Sequence, residues 1–251
     1  MTQKIIAIIQ ARMGSTRLPG KVMMQLSKKP ILQHVLERVK RSNLISEVVI
    51  ATTLLPKDDE INDFAKKFNV PIFRGNSQDV LDRFYRCAEK FSADIIVRIS
   101  SDSPLIDPLI IEKCVSKFIE NKNTDYLSNT INNISGTWNE DYNGFPIGVA
   151  VEVFTFSALK KAWKEAFTLS DREHVTEYFW KNPNVFTLDF INNSNNYSNI
   201  RLVVDYENDF LYLKKLFEIF PNETFSSLRK LIDHIISTNY FNYYGIDKKD
   251  K

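Results

Sequence analysis

Lys4-Ile5-Ile6-Ala7-Ile8-Ile9 runs straight into Gln10-Ala11-Arg12-Met13-Gly14-Ser15-Thr16-Arg17-Leu18-Pro19-Gly20-Lys21. The opening run is short, β-branched and uncharged after Lys4, the pattern of a strand buried on both faces. Such a strand needs helices on each side of its sheet, and the chain that follows supplies them. Ile31, Leu32, Val35, Leu36 and Val39 recur at helical spacing. Residues 47–52 hold Val48-Val49-Ile50-Ala51, a second buried strand. Residues 58–68 read as a helix, 70–73 as a strand, 80–88 as a helix and 94–100 as a strand. Residues 108–120 read as a helix with Pro108 near its first turn. Strand and helix alternate four times. That predicts an α/β fold with a Rossmann-like, mostly parallel sheet flanked by helices.

Residues 126–148 break the rhythm. They are rich in Asn, Thr and Ser and hold Gly136, Gly144, Pro146 and Gly148, so they read as an inserted excursion of loops or hairpins. A strand is expected at 149–154, helices at 157–166 and 171–181, and strands at 185–191 and 200–204. Amphipathic helices are expected at 209–220 and 225–237, and a charged, frayed tail at 247–251.

The 251 residues are 43% hydrophobic and 25% charged, ordinary for a globular chain that builds its own core. Lys and Arg total 33 against 31 acids, a net charge of +2. That balance excludes a non-specific nucleic-acid binder, so any phosphate must be handled by a local cluster of cations. Two cysteines, Cys87 and Cys114, exclude a disulfide scaffold and a four-cysteine metal site. His34, His174 and His234 lie too far apart for an HExxH-type site. Gln10 and Arg12 end the opening apolar run too early for a signal peptide or a membrane span, and no 18-residue apolar stretch follows. The chain therefore reads as cytoplasmic, with no membrane partner.

The loop after the first strand carries the chemistry. Two of seven glycines lie there, with Arg12, Arg17, Lys21 and the hydroxyls of Ser15 and Thr16. In an open α/β sheet, ligands bind where loops leave the carboxyl ends of strands. Glycines admit close backbone approach to an anion, exposed N–H groups point at it, and Arg or Lys neutralises it. The expected ligand is a polyphosphate; the plainer alternative is a solvated basic loop. The Walker pattern does not fit. Five residues separate Gly14 from Gly20, Val22 follows Lys21, and Pro19 removes a backbone donor. The dinucleotide GxGxxG pattern is absent.

This loop closely resembles the opening of the cytidylyltransferase family, which contains the CMP-Kdo and acylneuraminate synthetases. It is most similar to the branch of spore coat polysaccharide biosynthesis protein F. The similarity continues through Gly75-Asn76-Ser77-Gln78-Asp79-Val80-Leu81-Asp82-Arg83-Phe84 and Val97-Arg98-Ile99-Ser100-Ser101-Asp102-Ser103-Pro104-Leu105-Ile106-Asp107. It resumes in Val151-Glu152-Val153-Phe154, Arg172-Glu173-His174-Val175-Thr176 and Arg201-Leu202-Val203-Val204-Asp205. The resemblance implies a single nucleotidyltransferase domain of the nucleotide-diphospho-sugar transferase type over 1–251. Residues 1–125 would form the nucleotide-binding half and 126–200 the acceptor-binding and dimerisation half. Residues 201–251 would hold a returning strand, a metal aspartate and the C-terminal helices. The inserted hairpin region is the expected contact of a homodimer.

Asp102 follows one buried strand and precedes Pro104; Asp205 follows another and precedes a helix. Mg²⁺ takes one or two protein carboxylates plus phosphates and waters. Asp102 and Asp205 suit that role for Mg-CTP, with Mn²⁺ as an alternative, and the resemblance implies them as the metal ligands. Each alternatively caps its helix, and Glu207 or Asp209 could share either task. Arg12, Arg17 and Lys21 are the expected catalytic cations; Pro19 and Gly20 separate Arg17 from Lys21, so these two are expected to reach the triphosphate from different sides of a solvent-filled cleft. Ala11, Arg12, Gly14, Ser15, Lys21, Ser77, Asp79, Arg83 and Ser101 are the implied nucleotide contacts. Ser77 or Asp79 alternatively caps a helix, and Arg83 alternatively pairs with Asp79 or Asp82.

Glu152, Arg172 and His174 are the implied acceptor contacts, with an ordinary surface helix as the alternative. Trp163, Phe167, Tyr178, Phe179 and Trp180 read as core or subunit interface rather than a stacking platform. The expected activity is CTP-dependent transfer to a small acidic acceptor, such as a sugar acid, with release of pyrophosphate, for surface polysaccharide or glycoconjugate assembly. The alternatives are a phosphorylated or phosphonate acceptor, a GT-A-like glycosyltransferase, or a nucleotide-binding module without turnover. Ser101-Asp102-Ser103-Pro104 has one aspartate where the glycosyltransferase motif has two.

Overall fold

Strand β1 (Ile5–Gln10) lies inside a sheet whose strands alternate with helices, as its unbroken apolar run requires. The computed structural model describes residues 3–132, 139–140, 142–220 and 227–238. A small hairpin, β2 (Gln25–Leu26) and β3 (Lys29–Pro30), leads into α1 (Ile31–Val39). β4 (Glu47–Thr53), α2 (Asp59–Lys67), β5 (Ile72–Gly75), α3 (Val80–Lys90), β6 (Ile95–Ser100) and α4 (Pro108–Glu120) complete the first half. The second half holds β7 (Tyr126–Ser128), β8 (Ile131–Asn132), β9 (Asn139–Glu140), β10 (Glu152–Thr155), α5 (Phe156–Glu165), α6 (Leu169–His174) and α7 (Glu177–Lys181). β11 (Leu188–Phe190), α8 (Glu207–Ile219) and α9 (Leu228–Ser237) follow.

Among the described residues the main sheet has seven strands in the order β11-β7-β10-β6-β1-β4-β5. All neighbours are parallel except β10, which runs antiparallel between β6 and β7. The period-two alternation of β1 divides its side chains between two cores. Ile5, Ala7 and Ile9 pack with α1, α2, α4, α8 and α9; Ile6 and Ile8 pack with α3, α5 and Phe179 of α7. The result is a three-layer α/β sandwich, the Rossmann-like arrangement the alternation predicts. Among the described residues no helix is long and apolar enough to cross a membrane.

Strand order reverses at β1. The chain builds outward through β4 and β5, then places β6 on the other side of β1. Loops at the carboxyl ends of β1 and β6 therefore flank a crevice, the position where open α/β sheets bind ligands.

Several expectations need correction. The strand expected at 200–204 is not a sheet strand. It is an extended strap whose only ladder contact among the described residues is the bridge between Ile147 and Arg201. Leu202, Val203 and Val204 are buried like strand residues, but in place of a ladder Leu202 N–H donates to Ile147 O and Val204 N–H to Asp102 O. Gly148, at φ +101°, makes the strap's close approach feasible, since a Cβ there would lie 2.6 Å from the backbone of Leu202. The helix expected at 171–181 is two helices, broken at Val175 (φ 60°, ψ −55°). The strand expected at 149–154 begins only at Glu152, and β7 shows that the excursion from the sheet starts after Ser128. The helix expected at 225–237 is described from Leu228. Gly136, residues 225–226 and the tail at 247–251 lie outside the described residues. Phe179 is core, as expected, but Phe167 is exposed and Trp180 lines a cleft.

Candidate active site

The loop after β1 closes on itself. Gly20 N–H donates to Met13 O, and Gly20 adopts φ +73°, a left-handed conformation that suits glycine. Ser15 Oγ accepts the N–H of Leu18 at 3.2 Å. The loop is also fastened from outside. Asp58, fully buried after β4, accepts the N–H of Met13 at 2.7 Å and the hydroxyl of Thr53. Gly14 lies against Lys57, whose Nζ would be 2.5 Å from a Cβ placed there. Asp58 and Lys57 were not singled out from sequence, because their link to the loop depends on how β4 is aligned with β1.

At the end of the loop Lys21 is only 7% exposed. Its ammonium donates to Asp102 Oδ2 at 2.6 Å, Asp205 Oδ1 at 3.0 Å and Val204 O at 2.7 Å. The structure thus brings both expected metal aspartates onto one nitrogen, and it corrects the expectation that Lys21 faces open solvent. Arg17 does remain half exposed; it pairs with Asp205 at 3.1 Å and lies over the Tyr206 ring. Arg201 takes the other Asp205 oxygen at 2.9 Å and pairs with Asp209. Asp209 accepts the N–H groups of Asp205 and Tyr206, so it caps α8 and leaves Asp205 free of that task. Burial pushes the Asp205 carboxyl up, but Lys21, Arg17 and Arg201 more than offset this and hold it below the usual range. Ser100 donates to the second oxygen of Asp102 at 2.6 Å.

Two clefts of about 260 Å³ each open here. The first is lined by Ala11, Arg12, Ser15, Arg17, Lys21, Arg83, Ser101 and Asp102, among others. Arg83 is 2% exposed, donates to Asn76 O at 2.7 Å, and leaves its Nε without a partner. Burial lowers its pKa to about 10. It pairs with neither Asp79 nor Asp82. The second cleft holds Glu152, Asp205, His174, Trp180 and Gly148, among others. Arg98, Ser100, Asp102 and His174 line both, so the clefts meet beside Asp102.

Other expected contacts lie elsewhere. Asp79 caps α3 through Asp82 N–H and binds Arg172, which also donates to Trp163 O at 2.7 Å. Asp79, Arg172 and Ser77 line neither cleft; the first two clamp α6 to α3. Gly14 does not line the first cleft. Glu152 lines the second, but its carboxylate is engaged by Arg98 and by Tyr126 OH. Arg98 was missed as a site residue. The signal was an arginine inside the apolar strand Ile95-Ile96-Val97-Arg98-Ile99, a residue type that is buried only when paired.

A lysine bound to two aspartates at the switch point, beside two adjoining clefts, suits a reaction that joins a polyphosphate to a second substrate. Comparison with known proteins identifies the family. Residues 6–246 match the profile of the cytidylyltransferase family. A cytidylyltransferase from Leptospira borgpetersenii superposes with a TM-score of 0.85 at 33% identity, covering 95% of this chain and 96% of that one. An uncharacterized protein of Methanocaldococcus jannaschii is 40% identical over 92% of this chain and 90% of its own length. The spore coat polysaccharide biosynthesis protein SpsF of Bacillus subtilis is 29% identical, covering 85% and 86%. Over nearly its whole length, this chain belongs to the cytidylyltransferase family, and it is a nucleotidyltransferase.

Proposed function

We propose that the chain transfers the cytidylyl group of CTP to a small acidic acceptor and releases pyrophosphate. The observation that supports this most is the convergence of Asp102, Asp205 and Lys21 where the two clefts meet. On this reading the triphosphate enters the first cleft against Arg12, Arg17, Lys21 and Arg83, and the acceptor enters the second. An acceptor oxygen attacks the α-phosphorus in line, the bond to the bridging oxygen of the β-phosphate breaks, and a hydroxyl acceptor gives up its proton to solvent. The side chains position the reactants and neutralise charge on the leaving pyrophosphate.

The donor set also fits Mg²⁺. Asp102 and Asp205 offer hard oxygens around a point that already holds a positive charge, the Lys21 ammonium. Among the described residues no group of three or more acids, histidines or cysteines gathers to cage a metal alone, so the ion would share its ligands with the phosphates. When bound it would supply charge neutralisation on phosphate oxygens, with Asp102 and Asp205 holding it and Lys21 beside it as a further cation.

A sugar acid would give a CMP-sugar, and a phosphate or phosphonate a diphosphate-type linkage. A homodimer formed through the region around β8 and β9 belongs to the same reading, and sedimentation of the full chain tests it. The nucleotide choice is tested by thermal unfolding with each of four nucleoside triphosphates and Mg²⁺. A ligand at a hundred times its Kd stabilises by about 2.7 kcal/mol, so CTP is expected to raise the midpoint well above ATP, GTP or UTP. Equal shifts with all four would remove the cytidyl assignment.

A further inference from the structure

Arg98 is the sole permanent cation among the described residues that line both clefts. It is also the sole arginine or lysine lining the second cleft. The carboxylates around that cleft already have cationic partners: Asp102 and Asp205 with Lys21, Glu177 with Lys181, and Glu152 with Arg98 itself.

The guanidinium is mounted on three sides. Its Nε donates to Gln10 Oε1 at 3.1 Å, and its Nη1 donates to Glu152 and, at 3.1 Å, to Thr176 Oγ1. A guanidinium carries five N–H donors in a fixed fork. The two on Nη2 have no partner among the described residues.

The mount is itself built with care. Glu152 faces Arg98 directly in the β10–β6 register, and its other oxygen accepts Tyr126 OH at 2.6 Å. Tyr126 is fully buried and stacks on Phe179 at 5.2 Å. Thr176 reaches Arg98 through the tight turn at Val175, where Thr176 N–H donates to His174 O. A β-branched residue at positive φ is a genuine outlier, so this turn is strained. The complete burial of Val175 against the second core holds it there.

We propose that Arg98 grips the anionic group of the acceptor through its open Nη2 edge, and that Gln10, Glu152 and Thr176 hold the fork in place. This rests on the cytidylyl-transfer reading above. It also narrows the acceptor class. The junction is where the α-phosphorus meets the attacking oxygen, so the acceptor carries a carboxylate or phosphate within a bond or two of that oxygen. Glu152 becomes a positioning residue rather than an acceptor contact.

The test is calorimetric titration of the full chain and its Arg98→Gln and Arg98→Lys variants. CTP with Mg²⁺ is titrated first. Inorganic phosphate, glycolate, 3-deoxy-manno-octulosonate and N-acetylneuraminate are then titrated onto the protein loaded with the α,β-methylene analogue of CTP, which cannot release pyrophosphate, with glycerol as the uncharged control. Wild type is expected to bind at least one anion and not glycerol. Arg98→Gln is expected to weaken that anion by about tenfold or more, with CTP affinity kept within about twofold. Arg98→Lys keeps the charge without the fork and falls between. Should Arg98→Gln fail to unfold cooperatively, the lysine variant carries the comparison. Equal anion binding by variants and wild type, equal loss of CTP and anion binding, or no anion binding by wild type overturns the proposal. If CTP itself does not bind, the underlying reading falls first, and the proposal with it.

Discussion

The loop between β1 and α1 and the α6–α7 wall both line the first cleft, yet they are built differently. The loop's glycines, hydroxyls and cations are contiguous, and it closes through its own hydrogen bonds between Met13 and Gly20. The wall is held from afar. Arg172 reaches Asp79, 93 residues away, and Thr176 reaches Arg98, 78 residues away. The loop closes within a dozen residues and is then fastened by Asp58 and Lys57 from beyond β4; the wall exists only once the sheet and α3 have assembled.

If that contrast is right, damage to the two sides has different signatures. The largest effect is expected at Lys21. Lys21→Ala removes a charge expected to sit on the leaving group and also leaves two aspartates without their shared partner. Turnover should fall by on the order of a hundredfold or more, and the ligand-free unfolding midpoint should drop as well, because the ammonium is buried. Steady-state kinetics alongside calorimetry would check both; a normal midpoint would mean that the Lys21–Asp102–Asp205 cluster contributes nothing to the resting fold.

A middle-sized effect is expected on the wall. Asp79→Ala and Arg172→Ala should each destabilise by about 2 kcal/mol, and the double variant by clearly less than their sum. CTP affinity should change little, since neither residue lines the first cleft. Strict additivity in urea unfolding would show that the clamp is not a working pair.

The smallest effect concerns acid. Folding holds the Asp205 carboxyl below its usual range, so the stability it contributes is complete above about pH 4. That contribution disappears as pH falls through the lowered folded value. The stability gap between wild type and Asp205→Asn should therefore narrow between pH 6 and pH 3. A gap that stays constant would sink the assignment of that shift to Lys21, Arg17 and Arg201.

The same contrast governs what could be read beforehand. The α/β alternation, β1 and its loop were legible because strand periodicity and loop composition are local properties. Asp102 and Asp205 were legible as residues following apolar runs, but not as two partners of one lysine. The run at 200–204 could not be told from a sheet strand, since burial makes a strap and a strand equally apolar. Nothing in Arg172-Glu173-His174-Val175-Thr176 announces a helix break, because a valine replaces the glycine that such a turn favours. The pairing of Arg98 with Glu152 depends on the register of an antiparallel strand that local patterns do not set.

Lys21 meets its second carboxylate 184 residues further along the chain. At ordinary rates of synthesis, that separation is roughly 10 to 40 s of elongation. Until then a nascent chain can form β1, β4 and β6 and bring Lys21 to Asp102, but Asp205 is still missing. The loop after β1 is therefore finished early and the Lys21 cluster late. On the proposed reading, a translating ribosome would carry a partly folded chain able to attract a triphosphate yet unable to turn it over, and competence would arrive only with the strap that bears Asp205.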